Sequence, residues 1–107
     1  MDGAAVWKTF DKKGYPVLSI RKQDGTKIVG IFNFGKYESS QPDFFLKNEE
    51  DEEVGEAFYV KLGKKSAIKL VVEEGTFVAW NVKKKTNPRA PDMRVTPFKP
   101  FQKKRTR

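Results

Sequence analysis

Neither cysteine nor histidine occurs in this chain of 107 residues. That excludes disulfide frameworks and Cys/His metal sites. It also removes the usual general base and the strongest side-chain nucleophile. Long hydrophobic runs are missing as well: the longest, such as Phe77-Val78-Ala79-Trp80, have four residues, far short of the ~20 that carry a helix across a bilayer. Met1 to Trp7 lacks a basic region followed by an apolar stretch, so no secretory signal is expected. The default setting is intracellular, in cytoplasm or nucleoid, and is compatible with a viral origin. There is no Gly-rich phosphate loop; Gly63-Lys64-Lys65-Ser66 lacks the upstream glycine and reads as a turn. No Glu-x-Lys of the kind used by metal-dependent nucleases occurs. The chain is therefore expected to be no enzyme, and to need neither cofactor nor metal.

What is present is positive charge, unevenly spread. The whole chain carries +8, but ten of its 22 Lys and Arg residues lie between Lys83 and Arg107, against the single acid Asp92. Residues 1–82 hold 12 bases against 13 acids and are nearly neutral. Pro88, Pro91, Pro97 and Pro100 punctuate the basic segment, which reads as a disordered, extended tail that cannot bury enough surface to fold alone. The expected organisation is a β-rich domain over 1–82 and a basic tail over 83–107. Concentrated positive charge on such a tail most often meets a polyanion, and nucleic acid is the commonest.

The body reads as short strands separated by turns. Val6–Phe10 alternates and ends at Asp11-Lys12-Lys13-Gly14. Val17–Lys22 and Lys27–Phe34 flank Gln23-Asp24-Gly25-Thr26, whose Asp-Gly dipeptide favours a hairpin. Phe44-Phe45-Leu46 is a loop or a short strand, followed by the acidic loop of Glu49, Glu50, Asp51, Glu52 and Glu53. Ala57–Leu62, Ala67–Val72 and Thr76–Val82 complete the set, joined by turns at Gly63-Lys64-Lys65 and Glu73-Glu74-Gly75. In this reading Phe58, Val60 and Leu62 face the core, and so does Trp80 with Val78 and Val82. The expected fold is mainly β: one small antiparallel sheet, or a partly open barrel, of five to six strands. The alternative is four strands followed by one C-terminal helix over 71–85.

On that reading the strand faces opposite the aliphatic set mix rings with cations. Arg21, Tyr59, Lys61, Lys69 and Phe77 fall there, with Lys64 and Lys65 at the adjoining turn. Such a face holds single strands, bases stacking on rings while ammonium groups track phosphates. The tail adds Lys83, Lys84, Lys85, Arg89, Arg94, Lys103, Lys104 and Arg105 as phosphate contacts. The expected function is non-catalytic binding of single-stranded DNA or RNA with little sequence specificity. The rival is a protein-interaction or assembly subunit of a ribonucleoprotein or viral particle, its tail anchored to RNA or to an acidic partner. Phe98 and Phe101 are candidate anchors for a protein partner, and exposed sheet edges make a homodimer compatible. The acidic loop reads as a solvated connector or as a phosphate mimic that folds back on the tail.

Overall fold

A computed structural model describes residues 1–83 and 87–98 of the chain. Eight strands run in sequence order: β1 (Ala5–Phe10), β2 (Pro16–Arg21), β3 (Lys27–Phe32), β4 (Phe44–Lys47), β5 (Glu53–Leu62), β6 (Lys65–Val72), β7 (Gly75–Asn81) and β8 (Met93–Pro97). Each pairs antiparallel with the next, and β8 returns to β1, closing an up-and-down barrel. The β class is as expected, but the barrel has eight strands and is closed, where five to six in a sheet or partly open barrel were expected. Among the described residues there is no helix; Val72 to Asn81 forms a turn and β7 instead, because Glu73 and Glu74 link directly paired Val72 and Gly75. The barrel also extends past Val82 into the stretch read as tail, since Met93–Pro97 is the strand that closes it.

Turn chemistry explains much of this order. Three loops share one hydrogen-bond pattern, in which a residue's N–H donates to the carbonyl four positions on while its own carbonyl accepts from the third. Asp11–Tyr15, Lys22–Thr26 and Asn48–Glu52 all do so, and the fourth residue is left-handed in each: Gly14, Gly25 and Asp51. That is a type I turn followed by a bulge, which matches strand twist. Asp11, Asp24 and Asn48 reinforce the loops by accepting backbone N–H groups on their side-chain oxygens.

The interior is apolar and small. Val6, Leu18, Ile20, Phe44, Leu46, Ala57, Ile68, Leu70, Ala79 and Val95 fill it, all nearly inaccessible. No polar or charged residue is buried among those described. Gly55 makes this packing fit: a Cβ there would lie 2.5 Å from the Val71 carbonyl oxygen and 2.7 Å from Val72 Cγ1. One expectation about orientation is reversed. Ala57 and Tyr59 pair with the core residues Leu70 and Ile68, so they face inward, and Phe58, Val60 and Leu62 line the outer wall. A similar inversion holds on β7, where Ala79 pairs with buried Val95, Phe77 packs against the core and Trp80 is half-buried on the outer wall, although Val78 is buried as expected.

The closing seam is stitched beyond the ladder pairs Ala5↔Arg94 and Val6↔Met93. Gly3 N–H donates to Val95 O, Val95 N–H to Ala4 O, and Asp92 N–H to Val6 O. The Asp92 carboxylate accepts from Lys8 N–H at 2.9 Å, and Trp7 Nε1–H donates to Arg89 O.

Candidate nucleic-acid interface

In a meander, alternate loops collect at the same end of the barrel. The loops after β1, β3, β5 and β7 share one end, and those after β2, β4 and β6 share the other with the N-terminal residues. This sorting separates the charges. Lys8, Lys12, Lys13, Lys36, Lys61, Lys64, Lys65, Lys83 and Arg89 stand at or near the first end. Asp2, Asp24, Glu49, Glu50, Asp51, Glu52, Glu53, Glu73 and Glu74 stand at the second. Asp11, Glu38, Asp43 and Asp92 also stand at the first end and Lys22, Lys27 and Lys47 at the second, so an excess of five bases at one end faces an excess of six acids at the other, an electric dipole along the barrel axis. At the acidic end, hydrogen bonds from the Thr26 hydroxyl and N–H hold the Asp24 carboxyl below its ordinary range.

The basic end is also where rings are exposed. Phe10 and Phe34 are each 64% accessible, Tyr37 80% and Tyr59 44%, and Tyr15 stands with them. Tyr15, Phe34 and Tyr59 belong to one connected chain of rings. Tyr15 meets Phe34 edge-on at 4.5 Å between centroids and lies stacked on Phe32 at 5.8 Å. Phe32 meets buried Phe44 at 5.9 Å, and Phe44 meets Tyr59 at 5.5 Å. Lys8 Nζ caps the line, 5.3 Å from the Tyr59 ring. Each ring pair adds about 0.5–1.5 kcal/mol beyond area burial, so the exposed members rest on a rigid base.

Asp43 organises this end. Its Oδ1 accepts from Lys36 Nζ at 2.7 Å and its Oδ2 from Tyr59 N–H at 2.8 Å. The long loop between β3 and β4 is further pinned by Asn33 Nδ2–H to Pro42 O and by Tyr37 and Glu38 N–H to Gln41 Oε1. It displays Phe34, Lys36 and Tyr37 around an open hollow of about 470 Å³.

Of the residues singled out from sequence, Tyr59, Lys61, Lys64, Lys65, Lys83 and Arg89 meet at this end. Arg21, Lys69 and Arg94 lie instead on the outer wall. There the Arg21 guanidinium sits 5.6 Å from the Trp7 ring, Lys69 Nζ 5.1 Å from the Phe58 ring, and Arg94 pairs with Trp80. Phe77 faces inward and packs on the core, which withdraws its ring from any outer stacking surface. Lys84, Lys85, Phe101, Lys103, Lys104 and Arg105 lie outside the described residues. Phe98 N–H donates to Thr76 O at 3.0 Å, holding that residue against the start of β7.

Sequence reasoning missed Phe10, Tyr15, Phe34, Tyr37, Lys8 and Lys36. The signal was available: each lies in or within three residues of a loop at the same end of a meander. Against family models, curated proteins and solved structures, the chain finds no match. Among the described residues no group of three or more acids could hold a metal ion, and no helix is long and apolar enough to cross a membrane.

Proposed function

We propose that this protein binds single-stranded nucleic acid without catalysis and with little sequence preference, laying the strand across the ring-bearing basic end of its barrel. One observation carries the reading: accessible Phe10, Phe34, Tyr37 and Tyr59 share an end where bases outnumber acids by nine to four, while acids outnumber bases by nine to three at the opposite end. Stacking on a ring is worth about 1–3 kcal/mol per base and tolerates any base. The dipole points the basic end at a polyanion during approach. A duplex keeps its base faces covered, so exposed rings favour unpaired strands.

The test is fluorescence anisotropy of labelled 20-mers, single- and double-stranded, against the full chain and a Phe34→Ala/Tyr37→Ala variant. Single strands should bind more tightly than duplex. The variant should lose about tenfold or more per ring while staying folded by circular dichroism, its melting temperature lowered by the Phe34 contacts with Tyr15 and Phe32 that it gives up. Absence of binding at low salt, or equal affinity for duplex, would overturn the proposal.

An assembly role is the second reading, favoured by a different surface. Ile31, 42% accessible, pairs with Val17 and Phe45 across three neighbouring strands of the outer wall, and Val29 beside it is 39% accessible. Such a stripe suits a protein neighbour.

A further inference from the structure

At the basic end, β6 and β7 part. Their pairing stops at Ala67↔Trp80, two residues short of the β6 start, and after Asn81 the chain turns away, with Val82 N–H donating to Asp92 O. A cleft of about 310 Å³ opens between them, lined by Lys65, Ser66, Trp80, Asn81 and Lys83. That is within the size range of small-ligand sites. We infer that this cleft is a nucleotide subsite that holds one nucleoside monophosphate group, base on the Trp80 indole and phosphate between Lys65 and Lys83. The inference rests on the strand-binding reading and adds a discrete position to it.

Each lining residue has a part in this. Trp80 Nε1–H is already satisfied by Thr96 Oγ1 at 3.0 Å, which ties the indole to β8 and fixes its orientation. The ring is half-buried and borders the cleft, so it offers a fixed surface to stack on rather than a mobile one. The two lysines supply point charges of the kind that bind phosphate, and no acid lines the cleft. Asn81 carries a donor and an acceptor on one side chain, the pair that matches a base edge. Ser66 and Asn81 also line a smaller hollow of about 120 Å³ with Lys8 and Tyr59. They therefore mark the rim where a strand passes from the cleft into the barrel mouth.

The same chemistry is offered by a free nucleotide and by one unit of a strand, and the experiment separates them. In a Trp7→Phe background Trp80 is the sole tryptophan. Its fluorescence is titrated with AMP, adenosine, inorganic phosphate and oligo(dA), while anisotropy of a labelled oligo(dA) reports strand binding independently. Saturable quenching by AMP or oligo(dA) is expected, weakened about tenfold or more by Lys65→Ala/Lys83→Ala, as befits loss of charge-assisted contacts. Quenching by oligo(dA) alone supports a strand-only subsite, and quenching by AMP as well extends it to free nucleotides. A silent Trp80 while anisotropy reports full binding overturns the subsite and leaves the strand-binding reading standing. Quenching by AMP with no strand binding does the reverse. Quenching that survives the double lysine substitution also overturns the subsite.

Discussion

Salt dependence gives the sharpest quantitative test of the polar barrel. A protein that neutralises phosphates releases condensed counterions, and for single strands the logarithm of affinity falls by about 0.7 per phosphate for each unit of log salt. Setting aside Lys36, whose ammonium is bonded to Asp43, the ring-bearing end carries Lys8, Lys12, Lys13, Lys61, Lys64, Lys65, Lys83 and Arg89. Full engagement of these eight gives a slope of about −5.6, and so about a two-thousandfold loss between 50 and 200 mM salt. Lys61→Ala/Lys64→Ala removes two of them at the β5–β6 hairpin and should make the slope shallower by about 1.4. The matched control is Lys27→Ala/Lys47→Ala at the acidic end, which removes the same charge and should leave the slope unchanged. The assay is anisotropy of a labelled oligonucleotide across a salt series, with circular dichroism melting to confirm folding. Equal changes in the two double variants would mean that only net charge matters. The assignment of binding to one end would then be refuted.

Three stability predictions probe the frame that holds this end. Gly55→Ala should cost about 2 kcal/mol or more, lowering the melting temperature by about 8 °C at least, because the new Cβ meets backbone at Val71; a shift under 2 °C would refute the packing argument. Asp51→Gly should gain about 0.5 kcal/mol by relieving a left-handed non-glycine residue at φ 66°, even after losing an exposed contact with Lys47, and a lowered melting temperature would contradict it. For Asp24, the folded carboxyl titrates below its unfolded value, so its stabilising effect is present above about pH 4 and lost as pH falls through the folded pKa. The stability difference between the parent and Asp24→Asn should therefore be constant at neutral pH and shrink in acid; a difference that grows in acid would be inconsistent with this.

Local chemistry was readable where one residue type forces one geometry. Asp24-Gly25 and Asp11 with Gly14 announce their hairpins. Asn48 with Asp51 shows the same turn in disguise, read only as an acidic run because no glycine marks it. Periodicity likewise separates two faces of β5 and β7 but does not say which face is inside. The bulkier set of Phe58, Val60 and Leu62 suggested the core, yet a barrel this narrow reserves Gly55 and Ala57 for the inside and takes its bulk from Phe44 and Leu46 on β4. Strand β8 escaped notice because Pro91, Arg94 and Pro97 resemble a tail. Pro97 is tolerated because it is the last strand residue, and Met93 and Val95 supply the buried face. The ring cluster was overlooked for a related reason: Tyr15, Phe34 and Tyr59 are distant in sequence and join through Phe32 and Phe44 only because alternate loops of a meander converge.

The seam between β1 and β8 has a consequence for how the molecule is made and how it fails. Every other strand contact joins sequence neighbours, so seven hairpin ladders can form locally, in an order that does not require distant parts of the chain to meet. The final ladder alone must bring Val6 to Met93, and it bears the loop-closure entropy of the whole barrel. Closure is then a late, all-or-none event, and Asp92, stitched to Val6 and Lys8, acts as its latch. Cutting the chain after Val82 would remove no mere appendage. It would leave β1 and β7 with raw hydrogen-bonding edges, turning a discrete particle into a template for sheet-to-sheet aggregation.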